Sequence, residues 1–149
     1  MKRACLGLLG IVILLAGCQP ASPPSSTEGT TTEQAPAVAK KLKFAVVPKG
    51  LTHQFWLTVK AGADAAGKDL GVEIDWDGPQ KETEVVEQIN LLEDKIGAGV
   101  DAIVLAACDQ DALVDIIKKA TEKNIPVVMI DSGVNSDVPA SFIATDNVT

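Results

Sequence analysis

The spacing of apolar residues changes repeatedly along most of this 149-residue chain, and this change is the strongest constraint on its fold. From Leu42 onward, short apolar runs typical of strands alternate with segments in which apolar residues recur every three or four positions, as on one face of a helix. A helix between two strands returns the chain to the starting edge of the sheet, so such strands are parallel. We therefore expect an α/β fold, a doubly wound parallel sheet with helices on both faces.

The pattern predicts five strands separated by three helices and a final loop. The strands are expected at 44–48, 72–76, 102–107, 125–130 and 140–144. The third of these is apolar on both faces, which is typical of a central strand covered by helices on each side.

The helices are predicted from their caps and from one apolar face each. The first is expected to be capped by Thr52, to end at Gly71, and to bury Phe55, Val59, Ala63, Ala66 and Leu70. The second is expected to end at Gly97 or Gly99 and to bury Val85, Val86, Ile89, Leu92 and Ile96. The third is expected to be capped by Asp109 and to bury Leu113, Ile116, Ile117 and Ala120.

The N-terminal residues have the composition of an export signal. Two basic residues precede an apolar run at positions 6–15, which is shorter than the roughly 20 residues that a helix needs to cross a bilayer. The run ends in Leu-Ala-Gly followed by Cys18, which resembles the lipobox of bacterial lipoproteins, whose cysteine is acylated. We expect a lipoprotein signal peptide at 1–17 and a lipid anchor on Cys18. The alternative is a chance cysteine beside an ordinary cleavage site.

The segment 18–40 is rich in Pro, Ser, Thr, Gln, Glu and Ala and has no apolar periodicity. Such a composition buries too little apolar surface to offset the entropy lost on ordering, so we expect a disordered tether. Residues 41–149 are enough for one hydrophobic core. Because Asp146 or Asn147 has the character of a cap for a further helix, we expect this folded domain to be truncated.

Cysteine content excludes an internal disulfide bond in the exported chain. Cys5 would leave with the signal and Cys18 would carry lipid, so that Cys108 remains alone. We expect Cys108 to be a small packed residue rather than a nucleophile, because Asp109 and Asp111 oppose a thiolate.

The charge balance argues against a nucleic-acid partner. The chain has 13 Lys and Arg against 20 Asp and Glu, a net charge of −7, and its arginine lies in the predicted signal. Phosphate binding draws on clustered basic residues, whereas the lysines here are scattered among carboxylates. The acidity indicates a solvated surface.

The sequence contains no Walker loop, zinc-type spacing or nucleophile elbow, and His53 is its one histidine. The Gly-Ala-Gly at 97–99 follows a predicted helix and precedes a strand, the reverse of the order that pyrophosphate binding requires. We therefore expect no enzymatic activity, no cofactor and no metal site. The alternative is an enzyme whose catalytic groups are supplied by residues beyond this chain.

Polar and aromatic residues follow the first and fourth predicted strands, where parallel sheets bind their ligands. Phe55 and Trp56 are adjacent, so we expect one ring in the core and the other in a cleft; the alternative is that both pack inside. An aromatic face stacks on the C–H face of a sugar, and a carboxylate accepts hydrogen bonds from hydroxyls. Asp131 is either such an acceptor, which its position favours, or a residue that bonds its own loop.

A set of short segments lies in order across nearly all of residues 42–149. They are Phe44-Ala-Val-Val, Phe55-Trp56, Gly62, Lys68-Asp-Leu-Gly-Val72, Gly99-Val-Asp-Ala-Ile-Val104, Asn124-Ile-Pro-Val-Val128, Ile130-Asp131 and Ala144-Thr-Asp-Asn147. Together they resemble the N-terminal lobe of type I periplasmic sugar-binding proteins, the ribose-binding group.

This resemblance implies a two-lobed receptor, with its second lobe missing here, that closes on a small sugar-like solute. The family pattern implies ligand contacts at His53, Phe55, Trp56 and Asp131. The ribose group has an arginine directly after the carboxylate, where this chain has Ser132, and this departure argues against ribose itself. Lys49, in a first loop that is a residue longer, either replaces that positive charge or is solvated.

We expect a lipid-anchored, exported substrate-binding protein of the cell envelope that delivers a sugar to an ABC permease. The alternative is a periplasmic sugar-sensing module that signals to a receptor. A sugar-responsive DNA repressor of this fold would need a helix-turn-helix where the export signal lies.

Overall fold

A computed structural model of the chain describes residues 40–146. The predicted signal peptide, Cys18, all but the last residue of the predicted tether and Asn147 lie outside this range. Expectations about them are therefore not tested by the structure.

Residues 40–146 form five strands and three helices in the predicted order. They are β1 (Lys43–Val47), α1 (Gln54–Leu70), β2 (Glu73–Trp76), α2 (Val85–Ala98), β3 (Ala102–Leu105), α3 (Val114–Glu122), β4 (Val127–Ile130) and β5 (Ser141–Ile143). All neighbouring strands are parallel, in the spatial order β2-β1-β3-β4-β5. From β1 the chain first adds β2 on one side, and then adds β3, β4 and β5 on the other side. This change of side confirms a doubly wound sheet.

The main hydrophobic core lies between one face of the sheet and the helices α2 and α3. Each large aliphatic side chain buried there contributes roughly 1.5–3 kcal/mol to folding. The strand residues of this core are Ala45, Val47, Ile103, Leu105, Val127 and Met129. The residues from the helices, with the N-cap of α3, include Leu92, Ile96, Leu113, Ile116, Ile117 and Ala120. The inward face predicted for the third helix is thus confirmed.

Helix α1 lies on the other face of the sheet and covers it only in part. It packs against β2, where a Cβ on Gly67 would lie 2.4 Å from Cγ1 of Ile74, so only glycine permits this approach. An apolar cavity of about 320 Å³ remains between α1 and the strands β1, β3 and β4. Consequently Val104 of the central strand is only half-buried on this side, and the expected cover on both faces is incomplete.

The ends of the helices differ in detail from the prediction. The cap of α1 is His53 and not Thr52, because the His53 ring accepts a hydrogen bond from a backbone N–H of the first turn. Gly71 and Gly99 end α1 and α2 with φ values of 68° and 70°, the left-handed conformation that glycine adopts without strain. Asp109 accepts two backbone hydrogen bonds in the turn before α3, whose first residue is Val114.

Four residues predicted to be inward-facing are largely exposed. They are Phe55, Ala66, Leu70 and Val86. Ala66 and Leu70 line the open apolar cavity between α1 and the sheet, and Val86 lies in the first turn of α2. A buried position of α2 is taken instead by Gln88.

The connection from β4 to β5 contains no helix and runs through residues 131–140. It is fixed by hydrogen bonds from the N–H of Asp131 to the carbonyl of Ile143 (3.1 Å) and from the N–H of Ala140 to the carbonyl of Val127 (2.8 Å). Asp131 therefore lies beside the carboxyl end of β5. None of the helices within 40–146 has the length and apolar character to span a bilayer.

Candidate functional site

A cleft of about 410 Å³ lies at the carboxyl ends of β4 and β5, against the first turns of α1. Its walls are formed by Phe55, Trp56, Val59, Ile130, Asp131, Ile143, Ala144 and Thr145. Larger concavities, of about 530 and 460 Å³, lie along the loop at 78–87 and around residues 133–142. We place the site in the smaller cleft because three of the predicted ligand-binding residues meet there.

The two adjacent aromatic rings have different environments. Trp56 is 1% exposed and Phe55 is 47% exposed. The rings touch edge to face, with centroids 4.8 Å apart and planes at 78°. The structure therefore places Trp56 in the core and leaves Phe55 as the aromatic surface that a ligand can reach. Contact between Phe55 and a ligand stays a prediction.

Asp131 carries the polar chemistry of the cleft and adopts a strained backbone conformation with a φ of 57°. Its Oδ2 accepts a hydrogen bond from Oγ of Ser132 (2.7 Å) and lies 3.1 Å from Nζ of Lys49. Among residues 40–146, the other carboxylate oxygen, Oδ1, has no hydrogen-bond partner. It is therefore the oxygen open to a ligand hydroxyl.

Lys49 reaches across from the loop after β1. Its Nζ donates a hydrogen bond to Oγ of Ser132 (2.8 Å) and lies 3.9 Å from Oε2 of Glu82. The same nitrogen is 5.9 Å from the centroid of the Trp56 ring, within the range of a cation–π contact. The ammonium of Lys49 therefore contacts Ser132 and Asp131 and is not simply solvated. Its role in place of the family's arginine stays a prediction.

Not all of the predicted site residues line the cleft. His53 lies at the start of α1, where its Nδ1 accepts a hydrogen bond from the N–H of Phe55 (3.2 Å). Lys49 and Ser132 contact Asp131 but do not line the cleft. The structure thus brings Phe55, Trp56 and Asp131 to the cleft and places the other three around it.

Sequence reasoning missed two residues that organise these loops. Glu82 accepts a hydrogen bond from Nε1 of Trp56 (3.1 Å). Gln88 is fully buried and donates to the carbonyls of Pro48 (3.0 Å) and Ala106 (2.9 Å), while its own carbonyl accepts from the N–H of Cys108 (2.9 Å). It joins the carboxyl ends of β1 and β3.

A signal for each was present in the sequence. Glu82 is a carboxylate in the loop after a predicted strand, as Asp131 is. Gln88 precedes Leu92 and Ile96 at intervals of four residues, which places it on the buried stripe of a helix.

Cys108 is half-buried, and its thiol donates to the carbonyl of Lys49 at 3.6 Å. Burial raises the pKa of Cys108 to about 11, and the negative charges of Glu82 and Glu84 act in the same direction against a smaller opposing effect of Lys49. The thiol is therefore protonated at neutral pH, as expected for a packed residue, but the opposing charges come from Glu82 and Glu84 and not from the predicted Asp109 and Asp111. Within 40–146, no group of three or more His, Cys, Asp or Glu side chains is arranged to hold a metal ion.

Comparisons with known proteins give one consistent result. The family model described as "Periplasmic binding protein domain" matches residues 44–149. The chain is 35% identical to the D-ribose/D-allose-binding protein of Pseudomonas aeruginosa, over 99% of this chain and 46% of that protein. It is 31% identical to the ribose import binding protein of Escherichia coli K12, over 80% of this chain and 39% of that protein.

A solved structure similar to this fold is that of a carbohydrate transporter solute-binding protein from Agrobacterium radiobacter in complex with D-arabinose. The TM-score is 0.70 and the identity 38%, over 73% of this chain and 37% of that one. The chain thus spans less than half the length of these relatives.

Proposed function

The chain belongs to the periplasmic binding protein domain family, and from this premise we propose that it binds a sugar, or a similar polyhydroxylated solute, for an ABC importer. The observation that carries the proposal is the pairing of an exposed aromatic ring, Phe55, with the carboxylate of Asp131 in one cleft. The relatives support it, since they are named as sugar-binding or sugar-import proteins.

The two groups have complementary tasks in sugar binding. The ring of Phe55 offers an apolar face for the C–H groups of a sugar, and Oδ1 of Asp131 accepts a hydrogen bond from a hydroxyl. A hydrogen bond to a charged acceptor contributes roughly 1.5–3 kcal/mol. Thr145, also in the cleft wall, adds a hydroxyl that can donate or accept. These groups bind a solute without reacting with it, so we assign binding rather than catalysis.

The charges around the cleft favour a neutral sugar. Lys49 lies between the carboxylates of Asp131 and Glu82, so that one positive charge faces two negative ones. A sugar phosphate or uronic acid would bring a further negative charge to the cleft and be repelled.

We include export and membrane anchoring in the proposal. A signal peptide at 1–17, with acylation of Cys18, would hold the protein at the cell envelope near a permease, and each buried methylene of the lipid contributes about 0.8 kcal/mol. Metabolic labelling with a radioactive fatty acid should mark the wild-type chain and not Cys18→Ser; equal labelling would refute acylation at Cys18. The alternative of a sensory module is less favoured, because a relative is named as an import protein.

Saturation-transfer NMR tests sugar binding directly, and it detects affinities as weak as millimolar. The chain is mixed in turn with D-ribose, D-allose and D-arabinose, and we expect transfer to at least one of them. D-ribose 5-phosphate is the matched anionic probe and should give none. If no neutral sugar shows transfer while the protein spectrum remains that of a folded domain, sugar binding by this chain is wrong.

A further inference from the structure

Five polar contacts connect the buried tryptophan to the carboxylate of the cleft. Nε1 of Trp56 donates to Oε1 of Glu82 (3.1 Å), and Oε2 of Glu82 lies 3.9 Å from Nζ of Lys49. The same Nζ bonds Ser132 (2.8 Å) and Asp131 (3.1 Å), and Ser132 donates to Asp131 (2.7 Å). We call these five residues the loop network.

The loop network joins loops that follow three different strands. Lys49 belongs to the loop after β1, Glu82 to the loop after β2, and Asp131 with Ser132 to the connection after β4. Backbone hydrogen bonds hold part of the connection after β4, for example from the N–H of Ala107 to the carbonyl of Ser132 (3.3 Å). The side-chain contacts of Lys49 add a link from this connection to the loops after β1 and β2. An ammonium group has three donors, and here its neighbours are three oxygens from the other two loops.

The burial of Lys49 distinguishes this arrangement from an ordinary surface ion pair. Pairs between exposed side chains contribute a median of about 0–1 kcal/mol because water and salt screen them. The side chain of Lys49 is only 21% exposed, and its charge also lies near the face of buried Trp56. Interactions with this ammonium are therefore less screened than those of a solvated lysine.

We propose that Glu82 and Lys49 are positioning residues of the sugar site. Glu82 holds the indole of Trp56, against which the ring of Phe55 packs edge to face, and thereby sets the aromatic wall of the cleft. Lys49, with Ser132, occupies Oδ2 of Asp131 and leaves Oδ1 for the ligand. Lys49 and Ser132 thus act through Asp131 rather than on the sugar. This inference rests on the proposed function.

A ligand-free NMR experiment tests the coupling within the loop network. The readout is the indole N–H of Trp56, identified by the loss of the other indole signal in Trp76→Phe. Ser132→Ala removes a hydroxyl that does not contact Trp56, yet we expect it to shift this signal because it releases Lys49. Lys49→Met and Glu82→Gln should shift it as well.

Lys95→Met is the matched control. Lys95 is 13% exposed and contacts two carboxylates, those of Asp75 and Asp77, so its loss resembles that of Lys49 in burial and charge. It lies outside the loop network, and we expect no shift at Trp56. An unchanged Trp56 signal in Ser132→Ala and Lys49→Met, or an equal shift in Lys95→Met, would overturn the coupling.

A second measurement relates the coupling to binding. For whichever of D-ribose, D-allose and D-arabinose binds, we expect Lys49→Met and Glu82→Gln each to lower affinity about tenfold, the equivalent of one hydrogen bond. Lys49→Arg, which keeps the charge, should recover most of the loss, and Lys95→Met should bind as the wild type does. If Lys49→Met binds the sugar as tightly as the wild type does, the proposal that Lys49 positions Asp131 is wrong. Absence of sugar binding by the wild type refutes the proposed function, while the indole shifts still decide the loop network.

Discussion

The ammonium of Lys49 lies 3.1 Å from Oδ2 of Asp131, although the two residues belong to loops after different strands. The ribose group, which the sequence resembles, carries a cation directly after this carboxylate, whereas Ser132 follows it here. In this chain the cation beside the carboxylate comes from the loop after β1. The carboxylate thus keeps a positive neighbour, but one whose position depends on a second loop.

Replacement of Phe55 by alanine should weaken sugar binding without unfolding the protein. The ring is 47% exposed, so its loss removes a stacking surface and little of the core. We expect affinity to fall about tenfold, since aromatic contacts contribute roughly 0.5–1.5 kcal/mol beyond their area. Leu57→Ala is the control, because Leu57 lies on the same helix with 45% exposure and outside the cleft. Equal binding by the two variants in a sugar titration would remove Phe55 from the site.

Trp56→Ala is expected to act mainly on stability. The side chain is 1% exposed, and truncation of a buried tryptophan costs about 3–5 kcal/mol. Trp56→Phe keeps much of the volume and loses the hydrogen bond to Glu82, so it should cost less. Urea denaturation of both variants measures the difference. A small change in Trp56→Ala would show that the ring does not belong to the core.

Gln88→Met should destabilise the fold by about 2–4 kcal/mol, because it leaves two carbonyls and one N–H buried without partners. Asn90→Met makes the same kind of change two residues away at an exposed position of α2, and it should stay within about 0.5 kcal/mol of the wild type. Chemical denaturation at neutral pH compares them. Equal stability of the two variants would contradict a structural role for the Gln88 amide.

The ion pairs of Asp75 make stability depend on acid pH. Burial alone would raise the pKa of Asp75, but the hydrogen bonds and charges of Lys95 and Lys43 outweigh it and hold this pKa below 3.8. A lowered carboxylate pKa stabilises the fold above the unfolded-state value, and this contribution disappears as the pH falls through the folded-state value. Burial likewise opposes a raised pKa of Lys95, yet Asp75 and Asp77 raise it above 10.5, so its contribution is present at neutral pH.

Lys95→Met should therefore reduce the free energy of unfolding at pH 7, and the difference from the wild type should narrow below pH 3.8. Urea titrations at pH 7, 5 and 3 provide the measurement. A difference that is constant across these pH values would show that packing of the Lys95 stem, and not its charge, stabilises the fold.

The fold was predictable because its signals are local and repeated. The change of period from strand to helix, with Gly71 and Gly99 at the helix ends, defines alternating elements, and parallel pairing follows from that alternation. The open face beside α1 was not predictable, since it depends on how close Gly67 lets the helix approach Ile74. No periodicity in the sequence encodes that distance.

The candidate cleft was predictable only from single residues in the segments after strands. Asp131 and Phe55 were predicted in this way and both line the cleft, while their contact with a ligand stays a prediction. Contacts between loops, such as those of Glu82 with Trp56 and Lys49, depend on side chains from separate strands, and no sequence spacing relates them. A histidine at position 53 is compatible both with a helix cap and with a ligand contact. Only the geometry shows that its ring accepts a hydrogen bond from the N–H of Phe55.

Gln88 has a consequence for attempts to redesign this protein. Its single amide holds the backbone after β1 to the backbone after β3, so the loop that leads to Phe55 does not behave as an independent module. A transplanted loop of different length or curvature would have to keep a backbone carbonyl where the Gln88 amide can donate to it. To exchange ligand preference between homologues, the first turn of α2 should therefore be transplanted together with the loop.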